Sequence, residues 1–313
     1  MTGRGGTILW RDRGITGDGS RLGPISFGSD ASKHYEDDIR NAWFSYWLRD
    51  EGKLPITEAT AFETGTNIWR QYDSWPPVMG VSQRRLFLQA DRKLSFEMPA
   101  RNAITEFDEY VSDPSNPVPY RPRPVTPTYP GAELPVWLVQ DQRLMHHRPD
   151  VLSFVTDSMT NDLRVAGDIT AELFASTSGT DSDWVVKLID VYPEDAPADE
   201  KTKTLMGGYE LIVADEIFRG KFRNSFECPE PVPADKPVRY VIDLHTNDHV
   251  FLKGHKVMVQ VQSSWFPVYD RNPQQFIPNI FKASVSDYRK AAQKVFHSEK
   301  LPSAIVLPVL DER

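Results

Sequence analysis

A serine that attacks a carbonyl carbon is usually presented on a sharp strand-to-helix turn, G-x-S-x-G, whose small flanking residues let the backbone bend and leave the hydroxyl exposed. The 313 residues contain no such pentapeptide. The nearest approaches are GTDSDW, with Ser182, and QSSWF, with Ser263 and Ser264. These serines sit in or at the end of β-like runs without flanking glycines, so they read as strand residues and not as nucleophiles. Histidines fall at 34, 146, 147, 245, 249, 255 and 297. Read on a strand, His146 and His147 point to opposite faces and cannot chelate one metal together. His34 reads as a helix residue, solvated or packed. His249 and His255 flank the turn in VFLKGHK, where local hydrogen bonding is their expected work. No H-E-x-x-H and no carboxylate cage is present. The single cysteine, Cys228, lies in ECPEPVPADKP with no activating neighbour, and it excludes a disulfide within the chain.

Two further stretches have the look of ligand loops. GITGDGSRLG is glycine-rich, but it fits neither G-x-x-x-x-G-K-[ST] nor G-x-G-x-x-G, since Leu22 stands where the third glycine belongs. It reads as a turn-rich loop. Asp181 and Asp183 in SGTDSDW, with the acids of IDVYPEDAPADE, suggest calcium only if six or more oxygens converge; a solvated hairpin tip is the simpler reading. No cofactor and no metal is therefore expected. The net charge of −8, with no basic block, argues against a nucleic-acid partner. No apolar run approaches the roughly 20 residues that cross a bilayer, and MTGRGGTILW lacks the apolar core of a signal peptide, so a cytoplasmic location is the default expectation.

The elements that would position any site are mostly strands. One helix stands out: in SDASKHYEDDIRNAWFSYWLRDEG, Tyr35, Ile39, Trp43 and Trp47 recur at helical spacing, with Ser29 or Asp30 placed to cap the start and Gly52 to close the end. Its aromatic content requires a large surface to pack on. From about residue 54 the chain alternates short Val/Ile/Phe/Thr runs with turn residues. Strands are expected at TEATAFET, RLFLQ, VWLVQ, VLSFVT, DITAELFAST, DWVVKLIDVY, GYELIVA, VRYVIDL, HVFLKG, KVMVQVQSS and AIVLPV. In HKVMVQVQSS, Val257, Val259 and Val261 face one way and Lys256, Met258, Gln260 and Gln262 the other. The pattern is that of a mainly β protein, a sandwich. The proline-rich SDPSNPVPYRPRPVTPTYPG reads as a packed meander anchored by Tyr110, Val118, Tyr120 and Tyr129.

Several longer stretches carry a family likeness: FETGTNIWRQYDSWPP, YVSDPSNPVPYRPRP, WLVQDQR with RPDVLSF, DLRVAGDITAELFASTSGTDSDWVVKLIDVYP, MGGYELIVADEIFRGKFR and KGHKVMVQVQSSWFPVYDRNPQ. From about Leu9 to Leu310 the chain resembles the C-terminal portion of the α-amino-acid ester hydrolases, a group that includes cocaine esterase, glutaryl-cephalosporin acylase and X-Pro dipeptidyl-peptidase. The resemblance implies a C-terminal jelly-roll β-sandwich (galactose-binding-like) over 54–313, preceded over 1–53 by the helical remnant of an α/β-hydrolase domain. It implies that the nucleophilic serine lies outside this sequence. Counting back from Leu22-Gly23, it also places Asp12 where the family has its catalytic histidine. A carboxylate that titrates near pH 4 cannot relay the serine proton at neutral pH as imidazole does. In SSWFPVYDRNPQQFIPNIF, the resemblance points to Trp265, Tyr269, Asp270 and Arg271 as candidates for a substrate pocket or a domain interface, with Asp270 and Arg271 as a possible ion pair.

Three functions compete. The first is the C-terminal part of a serine hydrolase of esters and amides, inactive without a Ser-bearing α/β-hydrolase half, which is then the expected partner and the only route to a small-molecule substrate. The second is a ligand-binding module using Trp69, Trp75 and Trp184 on a sheet face. The third is an oligomerisation element, since helix 31–49 and the Trp265 loop would expose apolar surface, and homo-oligomers are expected.

Overall fold

The computed structural model describes residues 19–53, 57–101, 105–125 and 134–311. Asp12 lies outside the described residues. The principal strands are β1 (Ala59–Glu63), β2 (Ile68–Tyr72), β3 (Val81–Leu88), β4 (Phe107–Ser112), β5 (Leu152–Val155), β6 (Leu163–Thr177), β7 (Asp183–Val191), β8 (Glu210–Arg219), β9 (Val238–Phe251), β10 (Lys256–Gln262), β11 (Ala291–Ser298) and β12 (Ala304–Leu310).

They form a sandwich of two antiparallel sheets. The smaller sheet has the order β8–β7–β10–β5. In the larger one β6 pairs with β9 on one side and with β11 and β12 on the other, β12 continues to β3, and β11 to β4. The mainly β sandwich expected from the sequence is the observed fold. Its core is set by period-2 alternation: Trp184, Val186 and Leu188 of β7 and Val257, Val259 and Val261 of β10 meet Val165, Ile169 and Leu173 of β6 and Ile305 and Leu307 of β12. The expected facing of Val257, Val259 and Val261 holds. The opposite face of the small sheet is also covered, so Met258, Gln260 and Gln262 are buried as well.

The covering comes from the stretch between β4 and β5. It crosses the small sheet as a proline-rich strip and then as two short helices, α2 (Leu134–Leu138) and α3 (Arg143–His146). VWLVQ is not a strand; its apolar run is too short to separate strand from helix by periodicity, and Val136–Leu138 close helix α2. VRYVIDL and HVFLKG are one strand, β9, whose register slips between Asp243 and Thr246 where His245 takes a left-handed φ of 65°. β2, β4 and β11 were not expected. The sequences FDEYVS and AAQKVFHS carry polar residues on faces that the alternation rule assigns to the core, and Gln293 of β11 is buried by a hydrogen bond to Gln274 (2.8 Å).

The helix preceding the sandwich runs through Ala31–His34, a π-wound Tyr35–Asn41 and Ala42–Arg49. Asp30 caps it by accepting from the Lys33 N–H (2.8 Å). It ends at Asp50 in the left-handed region (φ 53°), three residues from the last turn's Trp47 and before Gly52. The N-terminal end of this helix is anchored: Leu22, Ile25, Phe27 and Ala31 pack with Val139, Met206 and Tyr209. Its C-terminal half is bare, with Trp43, Phe44, Tyr46, Trp47 and Leu48 exposed. No helix among the described residues is long and apolar enough to cross a membrane.

Candidate functional site

The loop after β10 was the strongest sequence candidate, and the structure shows how it is held. Trp265 is 1% exposed. Its ring lies 4.9 Å from that of Tyr120 and is stacked at 6.2 Å on Tyr269, over Val185 of β7. The proline-rich strip runs beside it: Phe266 donates its N–H to Val118 O (3.0 Å), and Tyr120 donates to Phe266 O (2.8 Å). That strip is therefore a packed meander through residue 120. Its anchor Tyr129 lies outside the described residues.

Arg271 and Asp270 do not pair with each other. Arg271 donates to Pro114 O (2.8 Å) and lies over the rings of Phe266 and Tyr288, which fastens the loop to the meander. Asp270 is exposed, and its backbone carbonyl accepts from Arg219 (3.3 Å). The next turn is pinned by the buried Asp183 carboxylate. It takes both arms of Arg219 (2.8 Å each) and the Asn272 amide (2.8 Å), so a fully paired charge fixes the loop to β7.

Beneath Trp265 lies a residue the sequence reading passed over. Lys187, in the middle of β7, is wholly buried. Its ammonium donates to Gln142 Oε1 (2.8 Å) and Gln262 Oε1 (3.0 Å) and sits 4.7 Å from the centre of the Trp265 ring. Burial pushes it down to about 7, against the opposing charges of Asp215 and Glu210. Glu210 is itself engaged by His146 Nδ1 (2.5 Å). The signal was a lone lysine in DWVVKLIDVY, flanked by apolar residues on both sides.

The candidate nucleophiles are tied up locally. Ser182 is buried and donates to Asp183 O (3.3 Å); Ser263 is hydrogen-bonded to the Tyr110 hydroxyl (2.7 Å); Ser264 accepts from the Val118 N–H (2.9 Å). None has an imidazole among these partners. His146 and His147 do not sit on a strand. They close helix α3 and stack on each other at 4.7 Å and 22°. His34 pairs with Asp38 one helical turn on (2.8 Å). His249 and His255, expected to bond locally, meet instead on the buried Asp190, at 3.4 and 2.8 Å. Burial raises the Asp190 carboxyl, but the two imidazoles outweigh it and hold it below the usual carboxylate range.

His249 Nδ1 in turn contacts Thr64 Oγ1 (2.7 Å), which links the β1–β2 hairpin to β9. Gly65 lets that hairpin approach: with φ 92°, a Cβ there would stand 2.2 Å from Val250 O. Among the described residues no three His, Cys, Asp or Glu groups converge as metal ligands. The three tryptophans proposed for a binding face are dispersed. Trp184 is in the core, Trp69 packs against Phe62 and His34, and Trp75 donates to Thr246 Oγ1 (3.0 Å).

Two open surfaces stand out among the described residues. One is the aromatic half of helix 31–49. The other is a groove of about 640 Å³ at the β8 edge, where Tyr269 and Asp270 meet Ile217, Phe218 and the exposed Phe226. Of the four loop candidates, Trp265 and Arg271 thus serve the interior and the loop's anchorage, while Tyr269 and Asp270 line this groove.

This arrangement, a β-sandwich, agrees with the comparisons. Residues 45–306 match the model of the X-Pro dipeptidyl-peptidase C-terminal non-catalytic domain. The chain is 28% identical over 311 residues to cocaine esterase from Rhodococcus sp. (strain MB1 Bresler), covering 96% of this chain and 50% of that protein. Among solved structures, it is similar to an aminopeptidase from a marine sediment Thaumarchaeota archaeon (44% identity, TM-score 0.90, 96% of this chain and 48% of that one). It is equally similar to an α-amino acid ester hydrolase (46% identity, TM-score 0.89, 96% and 49%). The chain spans about half the length of these relatives. The resemblance read from the sequence holds, and the chain belongs to the family of X-Pro dipeptidyl-peptidase C-terminal non-catalytic domains, the β-sandwich portion of a hydrolase family.

Proposed function

We propose that this chain is the accessory β-sandwich of a serine hydrolase of small acyl or aminoacyl esters and amides, and that it performs no hydrolysis by itself. The observation that carries the reading is helix 31–49: Trp43, Phe44, Tyr46, Trp47 and Leu48 stand exposed on one element, an apolar face that a free protein surface rarely keeps. We assign that face to an α/β-hydrolase domain, which supplies the attacking serine, its base and the donors that receive the developing oxyanion. Residues 1–53 belong to that domain's structure and 54–313 to the sandwich. The sandwich contributes rigidity. The Trp265 loop is fixed from below by Lys187 and from the side by Asp183, Arg219 and Arg271, so whatever it touches meets a preorganised surface.

A fluorophosphonate probe, with turnover of p-nitrophenyl esters and α-amino esters, tests the claim. The purified chain is expected neither to label nor to turn over. Mixing it with the separately expressed α/β-hydrolase domain of a relative is expected to yield a complex that survives gel filtration. Covalent labelling of one serine of this chain, with turnover lost on its mutation, would overturn the reading.

A further inference from the structure

One side of the sandwich is open among the described residues. There β8 is the edge of the small sheet and pairs with β7 alone. Across from it, the first half of β9 pairs with β6 alone, while its second half is covered by the β1–β2 hairpin at Thr64. Two strand edges of different sheets therefore face one groove, about 640 Å³ in volume. An edge strand presents backbone N–H and C=O groups to any chain that lies beside it. On β8 the Ile217 N–H is held by the carboxylate of its neighbour Glu216 (2.7 Å), and the Val213 carbonyl takes the Asn247 amide (2.6 Å). Side chains thus stand in for a missing strand.

The groove also has a chemical character. Its floor and walls are apolar: Ile217 and Phe218 from β8, Val241 and Ile242 from β9, and Phe222 and Phe226 beyond the end of β8. Asp183, Glu216, Asp243 and Asp270 also line it, against one guanidinium, Arg219, and one imidazole, His245. Arg219 is spent on Asp183, and His245 is shared between Glu216 (2.8 Å) and Asp243 (4.0 Å), so carboxylates outnumber cations along the rim, and Asp243 and Asp270 stand exposed over an aromatic floor. A small cation alone would leave the strand edges unused. An acidic or purely apolar chain would leave the carboxylates opposed or desolvated.

We infer that this open side is a docking groove for an extended peptide segment in which basic residues alternate with aromatic or aliphatic ones, added as a strand along β8. Backbone pairing to the strand edge supplies the affinity. The alternation places apolar side chains on Phe218 and Val241 and basic ones at the carboxylate rim. The site is separate from the helix 31–49 face and does not depend on its docking to a catalytic domain.

Fluorescence anisotropy tests this on the full chain, with a fluorescein-labelled eight-residue peptide alternating Arg with Val and Phe. Saturable one-to-one binding is expected. It should weaken about tenfold or more in Asp243→Lys with Asp270→Lys, and as much again when alternate backbone amides of the peptide are N-methylated. A peptide with Glu in place of Arg should not bind. Asp243 also accepts from the His245 N–H (2.8 Å), so the single variant Asp270→Lys, whose carboxylate is exposed in the groove, serves as the control: it should weaken binding while keeping the parent's thermal melting. Absence of saturation, or binding unchanged in the double variant, would overturn the assignment to this groove. Binding that tolerates N-methylation would overturn strand addition.

Discussion

Replacing Lys187 by methionine should change how stability depends on pH more than it changes stability at any one pH. The ammonium is wholly buried between two glutamine oxygens and the Trp265 ring, and burial lowers it to about 7. An unfolded lysine holds its proton to about pH 10.4. Between these values the unfolded chain binds more protons than the folded one, so stability rises with pH. The penalty of the buried charge is fully present below pH 7 and is relieved as pH climbs toward 10. Integrated over pH 7 to 9, the relief is about 2 kcal/mol from this one group.

Methionine fills similar space and carries no proton, so Lys187→Met should lack that rise. It should also leave the Gln142 and Gln262 oxygens short of a donor, a loss of about 1–3 kcal/mol. The charge penalty it removes at pH 7 is of comparable size, so the net change there is small. The assay is urea denaturation of both proteins at pH 7, 8 and 9. The unfolding free energy of the parent minus that of the variant should grow by about 2 kcal/mol across the series. A difference flat to within about 0.5 kcal/mol, well inside that expectation, would show that Lys187 keeps an ordinary affinity for its proton and that the account of its burial is wrong.

Asp190→Asn should destabilise by about 3 kcal/mol at pH 7, because two buried imidazoles lose their shared carboxylate. The native carboxyl is held low, so its contribution is present above about pH 4 and lost as pH falls through the folded value; the variant's acid limb in denaturant titrations should be correspondingly flatter. Gly65→Ala should cost about 3 kcal/mol, since φ 92° and the Val250 carbonyl both oppose a Cβ, and calorimetry would read this as a lowered Tm. Asp248 is pushed up to about 6 by burial, with Tyr72 as its hydrogen-bond donor, so Asp248→Asn should raise stability at pH 7 by about 2 kcal/mol and leave it unchanged near pH 4, where the carboxyl is protonated in the folded protein. Glutamates at Phe44 and Trp47 should shift the isolated chain toward monomer in sedimentation velocity; unchanged oligomers would remove helix 31–49 from any self-association.

The sandwich was legible because its core strands obey alternation, and DWVVKLIDVY and KVMVQVQSS locate both inner rows of the small sheet. The helix was legible from the spacing of its aromatics and from Asp30. What escaped was set by contacts distant in sequence. β11 pairs with β4 and β6, and nothing local in AAQKVFHS announces either. VWLVQ folds as a helix in a segment that lies across the face of the small sheet, where its residues pack on the sheet and do not join it. For the candidate site, the Trp265 loop was found from its aromatics. The meeting of His249 and His255 on Asp190 was not, since β7, β9 and β10 must assemble first. The proposed Asp270–Arg271 pair failed for a simple reason: neighbours in an extended loop diverge, so Arg271 reaches Pro114 O while the Asp270 carboxylate faces the groove.

One feature of the larger sheet bears on how the protein is made. β12, the last strand among the described residues, is inserted between β3 and β6 and is not appended at a margin. During synthesis, β3 leaves the ribosome long before its only long partner exists. Until Ala304–Leu310 emerge, the apolar side chains of β3 and β6 have an unfilled slot between them. A nascent chain of this family therefore passes through a long interval of exposure to chaperones and to stray strands, and it closes its principal sheet in a late step governed by non-local pairing.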